Sequence, residues 1–281
     1  MIENGVRFCR GLGLVIVHVK KYYLCRMMSY QCKIGCIGLV TALLMCSCTE
    51  RKQPHLMSSS LSNSDTMVDT TQIYHHITLD STEQLQIYYP HFKRMDLVCG
   101  TMPQPTDTSI IMVCAAAFTG QLKKEFSHEN IAGNHVSGGV YHKGYPCKAN
   151  TGAFVYAHRQ WKFVYQDYAA EVARVADESG MGFGQMMLIN NGLRMPANVV
   201  GKNICRALCE RKGKLSIIES QQPLLLIDFI KFLGRYGVTQ ALYLDMGEGW
   251  NYSWYRDNQG IVQYIHPRTL DYGTNWITFY R

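Results

Sequence analysis

The sequence predicts an α+β protein: a single domain with a mixed, largely antiparallel sheet and flanking helices. Three observations lead there. Short runs that alternate apolar and polar residues, or are apolar throughout, dominate residues 72–281, and such runs are strands. Only two segments of that region carry apolar residues at helical spacing. Strands and helices do not alternate in the regular manner of an α/β protein.

The first element in chain order lies ahead of the domain. Residues 34–45, "IGCIGLVTALLM", are uncharged, follow Lys33 and precede "CSC". The run is too short to span a bilayer and has the proportions of a signal-peptide core. Its exit resembles a bacterial lipoprotein box, with Cys48 as the lipidation candidate because the small Ser47 precedes it. An ordinary cleaved signal peptide, or a short apolar helix of the domain, is the alternative. Met27 or Met28 is a better start for such a leader than Met1. Residues 1–26 are therefore read as an upstream extension, 27–48 as a lipoprotein signal peptide and 49–71 as a flexible, Ser/Thr-rich tether.

Removing that leader changes the meaning of the net charge of +7. Residues 1–48 hold six Lys/Arg and one acid, which leaves 22 basic and 20 acidic residues beyond them. No basic run remains, so nucleic acid is excluded as a partner. Six of the 11 cysteines also fall in the leader. The other five, Cys99, Cys114, Cys147, Cys205 and Cys209, form no C-x-x-C pair; this is neither a disulfide framework nor a zinc site. Most of them lie in apolar strands and read as small core residues.

Within residues 72–281, "IYHHITL", "QLQIYY" and "SIIMVCAAAF" open the domain as strands. The third is apolar throughout and should be covered on both faces. "TGAFVYAH" and "QWKFVY" alternate and pair, and residues 168–179 form an amphipathic helix. "GQMMLI", "ICRALCE" and "KLSIIES" return to strands, the last two joined across "RKGK". Residues 223–237, "PLLLIDFIKFLGRYG", form the clearest helix, with Pro at its start and Gly past its end. "ALYLD" is a buried strand running into a glycine corner, and "YSWYR", "GIVQYIH" and "NWITFY" close the chain as strands. A helix crossing from "KLSIIES" to "ALYLD" implies a mixed sheet. "GMGFGQ" follows a helix instead of a strand and fails the dinucleotide fingerprint. "INNG" suits a hairpin turn.

The run "RALCERKGKLSIIESQQPLLLIDFIKFLGRYGVTQALYLDMGEG" resembles the phosphodiester glycosidase domain, the family that includes the uncovering enzyme of mannose-6-phosphate targeting. That family shows an Arg-bearing strand, a helix ending in Gly, and a strand closing in "LDGGGSS". "MMLINNG" resembles the segment before the arginine strand, and the ordered series covers about two thirds of the chain. The chain looks like a divergent branch of Bacteroides-type lipoproteins. Where the family has Asn-Gly-Gly-Phe this sequence reads "AAAFTG", with Ala115 at the asparagine position, and Met246-Gly247-Glu248-Gly249-Trp250 replaces "GGGSS". These departures bear on activity more than on fold.

The resemblance implies a carbohydrate or sugar-phosphate substrate, with Asp245 at the family aspartate and Arg206 at the family arginine. Asp245 ends a buried strand, where a carboxylate borders a crevice; the alternative is a turn aspartate capping the next loop. Glycosidic cleavage commonly uses two carboxylates, and Glu248 could be the second or a solvated loop acid. A strand arginine suits bidentate phosphate binding or an ion pair with Asp245. His135 could donate to a leaving group or phosphate, and Asn150 and Thr151 are donors entering a strand. Gly247 lets backbone approach a ligand, and Trp250 offers a stacking face for a sugar ring. Glu125, Glu129 and Asp228 are other acids, and Cys147 lacks the ordered partners of a nucleophile. His128 and His135 lack metal spacing, so no metal and no cofactor are expected. The reading is a lipid-anchored hydrolase of the phosphodiester glycosidase type in the cell envelope, at the outer membrane. A non-catalytic glycan-binding lipoprotein of the same fold is the alternative, and a purely structural envelope protein a weaker third.

Overall fold

The computed structural model describes residues 76–119, 131–146, 150–247, 251–267 and 275–281, which fall in one compact unit. In chain order its first eight strands are β1 (Ile77–Ser81), β2 (Leu85–Pro90), β3 (Arg94–Cys99), β4 (Ile110–Ala115), β5 (His135–Ser137), β6 (Val140–His142), β7 (Thr151–Ala157) and β8 (Gln160–Val164). Helix α1 (Tyr168–Asp177) precedes β9 (Met181–Asn190), β10 (Leu193–Arg194), β11 (Lys202–Asn203), β12 (Arg206–Arg211), β13 (Lys214–Ser220) and β14 (Leu224–Leu225). Helix α2 (Leu226–Tyr236) leads to β15 (Gln240–Tyr243), β16 (Ser253–Arg256), β17 (Val262–His266) and β18 (Asn275–Tyr280).

The larger sheet runs β1-β2-β13-β12-β15-β9-β5-β6, with β7 and β10 also on β9 and β8 on β7. A second sheet runs β17-β16-β4-β18-β3, and β11 and β14 form a separate ribbon. Leu208, Ile217 and Leu242 of the larger sheet share one core with Leu97, Ile111, Ile277 and Phe279 of the second. The molecule is thus predominantly β and sandwich-like. This corrects the expected α+β class with flanking helices: among the described residues the two helices have only 10 and 11 residues against 18 strands.

The sheet is not mixed either. Helix α2 crosses over from β13 as the sequence implies, but β15 lands on the far side of β12. Each of the two then lies antiparallel to β12, and they never meet. The sequence had no means of showing the strand inserted between them.

Two turns follow directly from sequence. Lys212-Gly213 and Asn191-Gly192 have positive φ at both positions, 51° and 69°, and 49° and 78°. That is the geometry whose twist suits a two-residue hairpin. The β12–β13 and β9–β10 hairpins form around them. Helix α2 buries Leu226, Phe229, Ile230 and Leu233 against Ala207, Cys209, Ile218 and Ala241 on the outer face of the larger sheet. It stops at Gly237, whose φ of 87° closes the last turn with an N–H to the carbonyls of Gly234 and Leu233.

Candidate functional site

Successive side chains of a strand leave on opposite faces, and β12 shows the consequence. Ala207 and Cys209 pack under α2, whereas Leu208 enters the core between the sheets. Cys205 therefore belongs to the α2 side and Arg206 to the inter-sheet side. In the ladder Ala207 faces Tyr243, and the N–H of Leu244 bonds the Arg206 carbonyl at 3.0 Å. Tyr243 and Asp245 accordingly share the face of Cys205, and Leu244 shares that of Arg206.

Around Asp245 there is a pocket of about 360 Å³, lined by Phe118, Tyr243, Asp245, Met246 and Gly247 and closed by Cys205, Leu224, Leu226, Met186, Val199, Gly201 and Asn203. The volume lies in the ordinary range of ligand pockets, roughly 300–1,000 Å³. The rings of Phe118 and Tyr243 sit 5.6 Å apart at 48°. The β11–β14 ribbon forms one wall, tied to Cys205 by its thiol contacts to the carbonyls of Asn203 at 3.4 Å and Leu224 at 3.9 Å. Burial pushes that thiol up to about 11, so it stays protonated at neutral pH and reads as a wall, not a nucleophile.

Asp245 is 9% exposed. Its backbone N–H bonds the Ala116 carbonyl at 2.9 Å, which places it directly after the end of β4. That neighbouring segment is fixed in turn by Asn275, whose side chain accepts from Ala117 N–H at 2.7 Å and donates to Ala117 O at 3.0 Å. Burial raises the Asp245 carboxyl above the usual aspartate range, against the opposing N–H groups of Gly247, Thr119 and Met246. The Gly247 N–H reaches Oδ1 at 3.1 Å. The carboxyl is thus held by backbone, partly desolvated, and biased toward its protonated form. Such a group can deliver a proton to a leaving oxygen.

Arg206 is elsewhere. It is fully buried and its Nε and Nη2 donate to Glu219 Oε2 at 2.8 and 2.6 Å. Nη2 also donates to Ser253 Oγ at 2.8 Å, and Nη1 to the Asn251 carbonyl at 3.4 Å. The other Glu219 oxygen meets His266 Nε2 at 3.0 Å, and His266 Nδ1 meets Asn251 Nδ2 at 3.2 Å. Burial raises the Glu219 carboxyl, but Arg206 and then His266 outweigh it and hold it below its usual range. The arginine cation is matched by Glu219, not by Asp245, across the sheet from the pocket.

The remaining expected site residues scatter. Gly247 lines the pocket with Asp245. Thr151 pairs with the pocket residue Met186 across β7 and β9. Asn150 beside it has φ 50° and donates to the Pro196 carbonyl at 2.5 Å. His135 is not among the described lining residues; it is buried in β5, stacked on His142 at 4.6 Å, with Nδ1 3.1 Å from the Gly133 carbonyl. Glu248, Trp250 and Cys48 lie outside the described residues, as do Glu125, Glu129, His128 and Cys147. Among the described residues no three His, Cys, Asp or Glu side chains gather in a way that could hold a metal ion.

Sequence reasoning missed the pocket walls Phe118, Tyr243, Cys205 and Asn203 and the Arg206 partners Glu219 and His266. One signal was present for Tyr243: it stands two residues before Asp245 in the same strand run and so shares its face. Glu219 carried one too: a two-residue turn at Lys212-Gly213 sets the β12–β13 register that places it opposite Arg206. His266, in a distant strand of the second sheet, carried none.

No family model matches the chain, and no curated protein matches it. Among solved structures it is similar to the catalytic domain of zebrafish N-acetylglucosamine-1-phosphodiester alpha-N-acetylglucosaminidase, auto-inhibited by its pro-peptide, at a TM-score of 0.50 and 13% identity over 73% of this chain and 81% of that one. It is also similar to a hypothetical protein from Synechocystis, at a TM-score of 0.41 and 13% identity over 73% of this chain and 61% of that one. At this identity the first likeness is one of fold alone: the chain is built like a phosphodiester glycosidase catalytic domain.

Proposed function

We propose that the chain is a carbohydrate-active hydrolase of the cell envelope, cleaving a sugar phosphodiester or a related glycosidic bond in the pocket around Asp245. The observation that carries this reading is the Asp245 carboxyl itself, desolvated and raised at the wall of a ligand-sized pocket. A carboxyl in that state serves as the general acid of glycoside cleavage. Phe118 and Tyr243 offer ring faces for a sugar. The second acid that glycosidic cleavage commonly uses would be Glu248, next after Gly247 on the corner that Asp245 opens. The activity on a sugar phosphodiester that the zebrafish enzyme's name states supports the substrate class by likeness of fold.

The second reading, glycan binding without turnover, is favoured by one observation: Arg206 is committed to Glu219, so this cation does not clamp a phosphate. Incubating the purified domain with model glycosides and sugar phosphodiesters, wild type beside Asp245→Asn, separates the two. Turnover lost by about 10²–10⁴-fold in the variant supports the hydrolase. Binding with no turnover in either protein supports the second reading, and turnover unchanged by the substitution removes Asp245 from the mechanism.

The envelope location is proposed with a lipid anchor on Cys48, supported by the uncharged run and small residues before it. Feeding expressing bacteria an alkynyl fatty acid should label the wild type and leave Cys48→Ser unlabelled.

A further inference from the structure

Tyr243 carries a polar group that the fold itself does not use. Tyr89, Tyr236 and Tyr243 all pack their rings against the apolar cluster under α2. The first two spend their hydroxyls within the protein: they bond one another at 3.0 Å, and Tyr236 donates to Asp80 Oδ2 at 2.6 Å. The Tyr243 hydroxyl makes no hydrogen bond among the described residues, and it is not sealed from open space. Tyr243 lines the pocket, with its ring held against Phe118. It stands two residues before Asp245 on the same face, so the two side chains leave the backbone roughly 7 Å apart along one wall. A tyrosine with a packed ring and an unspent hydroxyl at a cavity presents a polar handle to whatever enters. Burial, then Cys205 and Asp245, push its phenol up against the opposing pull of Arg206. The group therefore keeps its proton near neutrality and donates, acting neither as base nor as nucleophile.

From this placement we infer that Tyr243 is a specificity-determining residue of the pocket, its hydroxyl donating a hydrogen bond to a hydroxyl of the sugar bound beside Asp245. For the sugar itself this rests on the function proposed above. The two polar groups of the wall then have separate tasks. Asp245 offers a proton to the leaving oxygen, and Tyr243 holds the ring that carries that oxygen in place. Cys205, Leu224 and Leu226 belong to the same lining, and a hydrogen bond made beside apolar groups is stronger than one made in water. A site that hydrogen-bonds a substrate hydroxyl rejects the analogue lacking it, because the donor of the site is then left dry and unpaired. In the free protein the same hydroxyl bonds no described residue, so its removal leaves the fold as stable as before.

Tyr243→Phe tests this, since it removes the hydroxyl and keeps the ring on Phe118. Ligand-observed NMR of wild type with a panel of methyl glycosides and methyl sugar phosphodiesters picks the sugar that binds best. The variant should bind that probe about 3–10-fold more weakly. The factor should be the same at acid and at neutral pH, because the phenol does not titrate there, and the thermal midpoint should not fall. Within the monodeoxy series of the same probe, one member should bind wild type more weakly and lose nothing further in Tyr243→Phe. A variant that binds as wild type does, a midpoint that drops, or a series in which no member shows this coupling overturns the inference and leaves the proposed hydrolase standing. A wild type that binds the probe and never cleaves it removes the hydrolase, while a loss of binding in Tyr243→Phe still upholds the contact. A wild type that takes no member of the panel removes both.

Discussion

Glu219 shows at a single residue why a buried ion pair is costly to break. Its Oε2 receives two donors from Arg206 and its Oε1 meets His266. Glu219→Gln removes the charge while Arg206, fully buried, keeps its own. A buried cation left without its anion costs roughly 3–5 kcal/mol. Denaturant unfolding of this variant should show a loss of that size, with the m-value unchanged. Replacing Arg206 and Glu219 together with apolar residues of similar volume should recover most of the loss, because the pair as a whole contributes little beyond its own desolvation. A double variant no more stable than Glu219→Gln alone would show that Arg206 has a further role, in its bonds to Ser253 and Asn251.

Elements were legible where periodicity and turn chemistry agreed. The run "PLLLIDFIKFLGRYG" predicts a helix ending at a glycine, and α2 ends with Gly237 at φ 87°. At that φ a side chain is strained whatever the space around it. Gly237→Ala should destabilise the domain by about 1 kcal/mol, seen as a lowered thermal midpoint with the fold retained by circular dichroism. The strand β9 is a different case. "GMGFGQ" fails the dinucleotide fingerprint, and its glycines have another use: Gly182 and Gly184 lie inside the ladder against Val155 and Ala153. A Cβ at Gly182 would come within 2.9 Å of Val155 Cγ1, so close packing explains those glycines and no turn does. Strands β5, β6, β10, β11 and β14 are two or three residues long; no periodicity can be read from so few positions. The candidate site was legible as a position, the end of the "ALYLD" run at Asp245, but not as a constellation. The hairpin turn sets the register of Arg206 against Glu219, but which face of β12 meets helix α2 and which meets the second sheet is supplied only by the assembled layers.

The two sheets of the whole molecule are joined by more than their shared apolar core. Arg206 and Glu219 belong to the larger sheet, Ser253 and His266 to the second, and the network of hydrogen bonds crosses between them. The pocket carboxyl Asp245 lies on the outer side of the same larger sheet. Acid pH acts on these two carboxyls with opposite sign. Glu219 is held below its ordinary value of 4.5 by Arg206 and His266 acting against burial. Its contribution to stability is therefore present above pH 4.5 and lost as pH falls through the lower folded value. Asp245 is raised above its ordinary 3.8 by burial. The folded state holds that proton more tightly than the unfolded chain. Its charged form weakens the fold at neutral pH, and this penalty disappears as pH falls through the raised value toward 3.8. Unfolding free energies measured from pH 7 to pH 3 should thus place Glu219→Gln below wild type and Asp245→Asn above it at pH 7, the latter by about 0.5–2 kcal/mol. Both gaps should narrow on acidification, the Asp245 gap as pH falls through its raised value toward 3.8 and the Glu219 gap as pH falls below 4.5. An Asp245→Asn protein less stable than wild type at pH 7 would show that the carboxylate is there to hold its turn through the Gly247 N–H, and it would take the desolvated acid out of the pocket chemistry.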